Sequence, residues 1–140
     1  MLIDSHCHLH MLDLADFSGK LENVLTLAQE AGVQHMLSVC VDLDEYALMQ
    51  KIASEHANIS ISLGVHPCTI MQQEPSVDCL IDLAQDEQCI AIGETGLDYY
   101  HAENNPALQQ NRFRNHISAA KTLRELTPNI PSRLEKSGFS

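Results

Sequence analysis

The sequence is poor in basic residues. Eight lysines and arginines stand against 19 acidic residues in 140, which gives a formal net charge of −11. Sequence-independent clamping of a nucleic-acid backbone needs many cationic side chains, so this composition argues against it. It does not exclude chemistry that reaches phosphate through a metal ion. We interpret the six basic residues of the C-terminal part as a solvated helix face: Arg112, Arg114, Lys121, Arg124, Arg133 and Lys136.

Long apolar runs and secretory features are also lacking. No stretch approaches the roughly 18 residues of a membrane span, and the first residues, MLIDSHCHLHMLDLADF, lack the positive segment of a signal peptide. The five cysteines form no C-x-x-C pair, which favours reduced thiols over a disulfide framework. The sequence contains no Gly-rich phosphate loop, no G-x-S-x-G and no Walker-type lysine. We therefore expect a soluble cytoplasmic protein with no membrane partner.

Short apolar segments alternate with amphipathic ones four times along the chain. The apolar segments predict strands over residues 1–3, 33–41, 59–65 and 89–94, and the amphipathic ones predict helices over residues 20–32, 42–56, 76–84 and 105–120. Such alternation indicates an α/β fold with a parallel sheet, either open and doubly wound or part of a (β/α)₈ TIM barrel. Because a whole barrel needs about 250 residues, four units correspond to half of one. We expect residues 1–125 to form it and residues 126–140 to be an irregular tail.

Histidines recur at alternate positions at the end of the first predicted strand. A spacing of two is the repeat of an extended strand, so Asp4, His6, His8 and His10 would share one side. Neutral imidazoles arranged in this way can bind one divalent ion, with Asp4 as a further ligand or as support. The alternative is that these histidines are solvated or hydrogen-bonded. We expect His10, further into the loop, to be exposed.

Two more residues end predicted strands. His66 follows the third strand, and Glu94 follows the apolar run CIAIG, where a carboxylate is costly unless it is paired or bound to metal. The alternative role for Glu94 is capping a helix or pairing with an arginine. Because the carboxyl ends of parallel strands share one edge, and α/β folds place their sites there, these residues together with His6 and His8 favour a metal site.

Several other residues have two interpretations. Asp98 could orient a ligand or cap a turn, and Tyr99 and Tyr100 could line a cleft or pack a loop. His101 and His116 also stay ambiguous. Asp42 and Glu45 have the spacing of a helix-capping pair, and Ser76 is placed to cap the third helix. We expect small core roles for Cys7, Cys40 and Cys89.

Four stretches together resemble the TatD family of metal-dependent hydrolases and deoxyribonucleases. They are IDSHCHL at 3–9, GVHP at 64–67, IGETGLDYY at 92–100 and QQNRFRNHISAAK at 109–121. The resemblance implies a TIM barrel with a divalent-metal centre, usually of two ions (Mg, Mn or Zn), that hydrolyses phosphodiester bonds in DNA. It implies that His6 and His8 bind the first metal. It also implies that Glu94 is a catalytic carboxylate bridging both ions and that His66 faces phosphate at the site edge.

The sequence departs from the family pattern in its C-terminal part. The three metal ligands that the family carries further on, two strand-end histidines and an aspartate, have no counterpart here, and Cys68 replaces a histidine that often follows HP. We therefore expect a truncated chain with a possible frameshift in its tail, weak metal coordination and an unpaired sheet edge available for self-association. Two alternatives stay open: an inactive half-barrel fragment, and a metal hydrolase of a small phosphate ester or amide.

Overall fold

The computed structural model describes residues 2–101 and 106–126, which form a parallel sheet with a helix after each strand. The four strands are β1 (Leu2–Cys7), β2 (Val33–Ser38), β3 (Ile59–Leu63) and β4 (Cys89–Ile92), in that spatial order. The helices are α1 (Leu21–Glu30), α2 (Tyr46–Glu55), α3 (Val77–Leu83) and α4 (Pro106–Leu126). The predicted βα units of a partial barrel are confirmed, and the predicted tail beyond Leu126 lies outside the described residues.

Consecutive strands lie side by side because each βα crossover returns the chain to the same end of the sheet. In the parallel register, Asp4 lies beside Met36 and Leu63 lies beside Ile92. All four carboxyl ends therefore reach one edge of the sheet. Within the described part of the chain, β1 and β4 are outer strands with no further strand beside them.

The strands differ in burial according to their place in the sheet. In central β3, Ile61 and Leu63 are completely buried, whereas in β1 Leu2 is 57% exposed and Ile3 is 48% exposed. Helices cover the central strands and leave β1 largely open. The hydrophobic effect thus holds β3 far more firmly than β1.

One helix face on each crossover builds the core, as the apolar spacing predicts for α1, α2 and α3. The helices contribute Leu25, Tyr46, Met49, Ala53, Leu80 and Ala119 to one buried cluster. Cys40 and Cys89 are buried in it and Cys7 packs against it, which confirms their predicted core roles. All five cysteines are free. Within residues 2–101 and 106–126, no helix combines the length and the apolar character needed to cross a membrane.

The two predicted helix caps have different outcomes. The Ser76 side chain accepts a hydrogen bond from the Cys79 backbone N–H at 3.1 Å and caps α3, as predicted. The predicted capping pair at α2 is wrong. Asp42 accepts from the Asp44 N–H and opens a short 3₁₀ turn over Leu43–Glu45, so α2 begins only after it. This turn directs the Glu45 carboxylate away from a capping position.

Candidate metal centre

Three predicted ligands, His6, His8 and Glu94, lie together at the carboxyl edge of the sheet. One ligand atom from each lies within 4.8 Å of the others, and Nε2 of His6 is 3.3 Å from Oε2 of Glu94. Two imidazoles and a carboxylate are the donors that Zn²⁺ and similar divalent ions take from proteins. The arrangement fits a divalent ion, and the role of these residues as ligands stays a prediction.

Glu94 reaches His6 because the chain after β4 folds back over the ends of the two central strands. The Gly93 N–H donates to the Leu63 carbonyl at 2.8 Å, and the Glu94 N–H donates to the Cys40 carbonyl at 2.9 Å. The Ser62 hydroxyl links the same strands, since it accepts from the Cys40 N–H at 3.2 Å and donates to the Gly93 carbonyl at 2.5 Å. Four hydrogen bonds therefore determine where the carboxylate lies.

Gly64 permits this close approach of the two chain segments. A Cβ atom at Gly64 would lie 2.5 Å from the Gly93 carbonyl carbon and 2.8 Å from the Glu94 nitrogen. Both of these contacts are shorter than atomic radii allow, and both are to backbone that cannot rotate away. A side chain at this position would displace Glu94 from the histidines.

The hydrogen bond of His8 identifies which ring nitrogen can bind a metal. Nδ1 of His8 lies 2.8 Å from the Val39 carbonyl oxygen, which can only accept, so Nδ1 carries the hydrogen. Nε2 then keeps its lone pair. A backbone carbonyl behind the ring is the usual way in which proteins orient a metal-binding histidine.

Asp4 lies on the same strand but supports the backbone. Its carboxylate accepts a hydrogen bond from the His6 N–H at 3.1 Å, and the residue is exposed. Asp4 is not a member of the group whose ligand atoms lie within 4.8 Å of one another. Of the two roles considered for Asp4, its contacts match support of the strand end.

His66 also turns Nε2 toward the centre, but in the opposite tautomer. The Cys68 backbone N–H donates to Nδ1 of His66 at 3.2 Å, so in the neutral ring the hydrogen lies on Nε2. Nε2 is 3.8 Å from Oε1 of Glu94. In this tautomer His66 offers a hydrogen-bond donor at the edge of the centre, while His8 offers a lone pair.

The prediction that His10 is exposed is wrong. A 3₁₀ turn over Leu9–Met11 ends the strand alternation, and the His10 side chain is only 1% exposed. Nε2 of His10 lies 3.1 Å from a Glu45 carboxylate oxygen, whereas Nδ1 is buried and has no hydrogen-bond partner among the described residues. Burial lowers the pKa of His10, and the Glu45 carboxylate opposes that shift. His10 packs behind His8, with ring centroids 6.1 Å apart.

An open cleft of about 730 Å³ begins at Glu94 and His66 and continues along residues 95–101. Asp98 shapes its wall, because its carboxylate accepts from the backbone N–H groups of Tyr100 and His101 at 2.9 and 2.8 Å and pairs with Nδ1 of His101 at 3.0 Å. These hydrogen bonds hold the pKa of Asp98 well below its ordinary value. Asp98 therefore caps a turn, and Tyr99 and Tyr100 project from that turn into the cleft.

Arg112 corrects the prediction of a uniformly solvated basic helix face. Arg114, Lys121 and Arg124 are exposed, but the Arg112 side chain is 1% exposed and forms a bidentate pair with Glu74 at 2.7 and 2.6 Å. The buried stripe of α4 contains Gln109, Arg112, His116 and Ala119. Its spacing is helical, but most of its members are polar, so a search for apolar periodicity misses it.

Comparison with known proteins agrees with this geometry. The family described as TatD related DNase matches residues 3–128. The uncharacterized metal-dependent hydrolase YcfH of Escherichia coli K12 is 38% identical over 123 residues, and the 3'-5' ssDNA/RNA exonuclease TatD of Citrobacter koseri is 33% identical over 113 residues. These alignments cover 87% and 80% of this chain but 46% and 44% of the two relatives. The chain thus spans about half the length of the curated relatives it matches.

A solved structure shows the same fold. The crystal structure of YjjV, a TatD homolog from Escherichia coli K12, superposes with a TM-score of 0.72. The superposition covers 86% of this chain and 47% of that one, at 24% sequence identity. At this identity the likeness concerns the fold alone.

Proposed function

This chain belongs to the TatD family of metal-dependent hydrolases, and from that premise we propose that His6, His8 and Glu94 hold a divalent metal ion that serves hydrolysis of phosphodiester bonds in DNA. The observation that carries the proposal is the convergence of three ligand atoms within 4.8 Å. The orientation of His8 by the Val39 carbonyl supports it further.

Glu94 is also proposed to bridge two ions, as the resemblance to the family implies, and both of its carboxylate oxygens lie at the centre. Oε2 faces His6 at 3.3 Å, and Oε1 faces His66 at 3.8 Å. Bound Mg²⁺, Mn²⁺ or Zn²⁺ would polarise a phosphoryl oxygen and supply hydroxide near neutral pH. The protein's own part is to hold the carboxylate between the two histidines through the backbone bonds of Gly93 and Glu94.

His66 is proposed to contact the phosphate of the substrate. Its Nε2–H is directed toward Glu94 across a gap of 3.8 Å, longer than a hydrogen bond, so a phosphate oxygen could accept it instead. An acidic chain with a net charge of −11 suits a substrate held by metal and by a few neutral donors better than one held by a basic surface. The cytoplasm is the proposed location, because the five cysteines are thiols and not members of disulfide bonds.

The test uses single-stranded DNA with Mg²⁺ or Mn²⁺ and an EDTA control. We expect release of nucleotides that EDTA abolishes and that His6→Ala and Glu94→Gln remove, while Glu30→Gln, an exposed carboxylate on α1, leaves it unchanged. Calorimetric titration with the same ions gives a readout independent of turnover. Turnover of p-nitrophenyl phosphate without DNA cleavage would favour a small phosphate ester as substrate. Absence of any ion binding would contradict the proposal.

A second candidate function follows from the exposure of β1. Leu2 is 57% exposed and Ile3 is 48% exposed on an outer strand, a surface that a second copy of this chain could cover. In this proposal the chain is an inactive half-barrel that self-associates. Sedimentation velocity would show a dimer that Ile3→Lys dissociates. A monomer at all concentrations would contradict it.

A further inference from the structure

We propose that Arg112 is a positioning residue that holds His66 toward Glu94, acting with Glu74 and His116; we call these three residues the Arg112 clamp. This inference rests on the proposed function of the same site. It concerns how the fold places the hydrogen-bond donor of that site, and the clamp residues themselves touch neither substrate nor metal.

Arg112 uses its guanidinium to join the two ends of the loop between β3 and α3. Nη1 donates to the His66 carbonyl at 2.7 Å and to the Pro67 carbonyl at 3.4 Å. Nε and Nη2 donate to the two carboxylate oxygens of Glu74 at 2.7 and 2.6 Å. A bidentate guanidinium–carboxylate pair has a well-defined geometry, so it determines where Nη1 meets the backbone of His66.

His116 holds the chain on the other side of His66. The Val65 N–H donates to Nε2 of His116 at 3.1 Å, and Nδ1 of His116 donates to the Arg112 carbonyl at 2.8 Å. Both ring nitrogens are therefore used by the neutral imidazole, and burial lowers the pKa of His116 in keeping with that form. The backbone is held at Val65 and again at His66.

The groups that Arg112 contacts indicate that its role is to position His66. A buried ion pair usually stabilises a fold no more than well-packed apolar side chains would. Here the pair instead holds a guanidinium that donates to the His66 and Pro67 carbonyls, so it ties α4 to the segment that carries the His66 ring. The His66 carbonyl also accepts from the Thr69 N–H at 3.0 Å, so the guanidinium is its second donor. We expect loss of the clamp to shift the imidazole, because Arg112 is the contact that ties the His66 backbone to α4. The other hydrogen bonds of His66, with Val41, Cys68 and Thr69, come from residues outside the helices and strands.

The experiment measures the position of the His66 ring by NMR in the whole chain. The readout is the nuclear Overhauser contact between the His66 ring and the Glu94 side chain, which the 3.8 Å approach of Nε2 and Oε1 predicts. The main variant is Arg112→Met/Glu74→Leu, which removes both charges together. Arg112→Lys keeps the charge but loses the bidentate fork. Arg114→Met is the matched control, since this arginine is exposed and its hydrogen bond within the described part of the chain is to Gln110, at 3.4 Å.

We expect the nuclear Overhauser contact between His66 and Glu94 to weaken about fourfold or more in the double variant. Its intensity falls with the sixth power of the distance between the two protons, so a displacement of about 1 Å is enough. Arg112→Lys should give a smaller loss in the same direction, and Arg114→Met none. Zn²⁺ affinity, measured by calorimetry, should change less than about threefold in all variants, since His66 is not among the proposed ligands.

The outcomes separate this inference from the proposed function. An unchanged contact in a folded double variant overturns the positioning role. If the double variant does not fold, an unchanged contact in Arg112→Lys overturns it equally. If neither the variants nor the unmodified chain binds Zn²⁺, the proposed metal centre is contradicted instead. The contact between His66 and Glu94 can still be measured in that case.

Discussion

His8 and His66 both follow strands at the same edge of the sheet and both turn Nε2 toward the centre, yet the fold gives the two rings opposite tautomers. His8 donates from Nδ1 to the Val39 carbonyl, which leaves a lone pair on Nε2. His66 accepts at Nδ1 from the Cys68 N–H, which leaves a hydrogen on Nε2. The comparison teaches that the partner of the distant nitrogen, supplied by the backbone, decides whether a strand-end histidine suits a metal or a substrate oxygen.

The two histidines also differ in how firmly their strands are held. His8 follows the exposed outer strand β1, whereas His66 follows the buried central strand β3 and is held from beneath by α4. A site made from both therefore combines a weakly packed half and a rigid half. The Glu94 N–H bonds to the Cys40 carbonyl after β2, and the Glu94 backbone lies against Gly64 after β3.

Removing Glu94 should have the largest effect, because it is the group between the two histidines. Glu94→Gln keeps the shape but removes the charge, and we expect divalent-metal affinity to fall on the order of 100-fold or more. Calorimetric titration with Zn²⁺ or Mn²⁺ measures it. Glu30→Gln should leave the affinity unchanged, and equal affinity of Glu94→Gln and the unmodified chain would remove Glu94 from the centre.

Crowding the segment beneath Glu94 should have the next largest effect. Gly64→Ala places a methyl group 2.5 Å from the Gly93 carbonyl carbon, and we expect the free energy of unfolding to fall by about 1–3 kcal/mol. Metal affinity should fall with it, as Glu94 moves. Gly93→Ala is the matched control, because a Cβ there meets nothing within 4 Å. Urea denaturation that gives equal losses for both variants would contradict the steric explanation.

The clamp beneath β3 should make stability depend on pH. Burial lowers the pKa of His116 in the folded chain, while the unfolded value is about 6.5. The stabilisation is therefore present above about pH 6.5 and is lost as the pH falls below it, with a slope of at most about 1.4 kcal/mol per pH unit.

His116→Gln isolates this contribution from that of the other histidines. Urea denaturation of the unmodified chain and of the variant between pH 7.5 and 5 should show a flatter dependence in the variant. Parallel curves would show that His116 takes no part in the pH dependence.

The last prediction compares the tautomers of His8 and His66 directly and needs no mutation. Long-range ¹H–¹⁵N NMR of the imidazoles at neutral pH should show His8 with its hydrogen on Nδ1 and His66 with its hydrogen on Nε2. The same tautomer for both rings would refute the distinction between them.

The fold was largely predictable because local patterns determine each βα unit. Apolar spacing located the buried residues of α1, α2 and α3, and Ser76 marked the beginning of α3. The juxtaposition of His6, His8 and Glu94 also followed from one rule, that parallel strands end at the same edge. Residues 127–140, where the irregular tail was predicted, lie outside the described part of the chain.

The failures at His10 and Arg112 concern polar side chains whose partners are distant in sequence. His10 was expected in solvent because nothing near it in sequence explains its burial against Glu45, 35 residues away. Arg112 was assigned to a solvated face because its partner, Glu74, lies 38 residues away. Local periodicity carries no information on such pairs, and charge alone argues for exposure.

By itself, the sequence determined the alternation of strands and helices and the edge at which the histidines and Glu94 meet. It also contained the motifs that resemble the TatD family. Only the tertiary structure decided which imidazole nitrogen faces the centre, that His10 and Arg112 are buried, and that α4 holds the segment carrying His66. The physical reason is range: secondary structure and strand polarity follow from neighbouring residues, whereas hydrogen bonds to Val39, Glu45 and Glu74 exist only once distant segments pack.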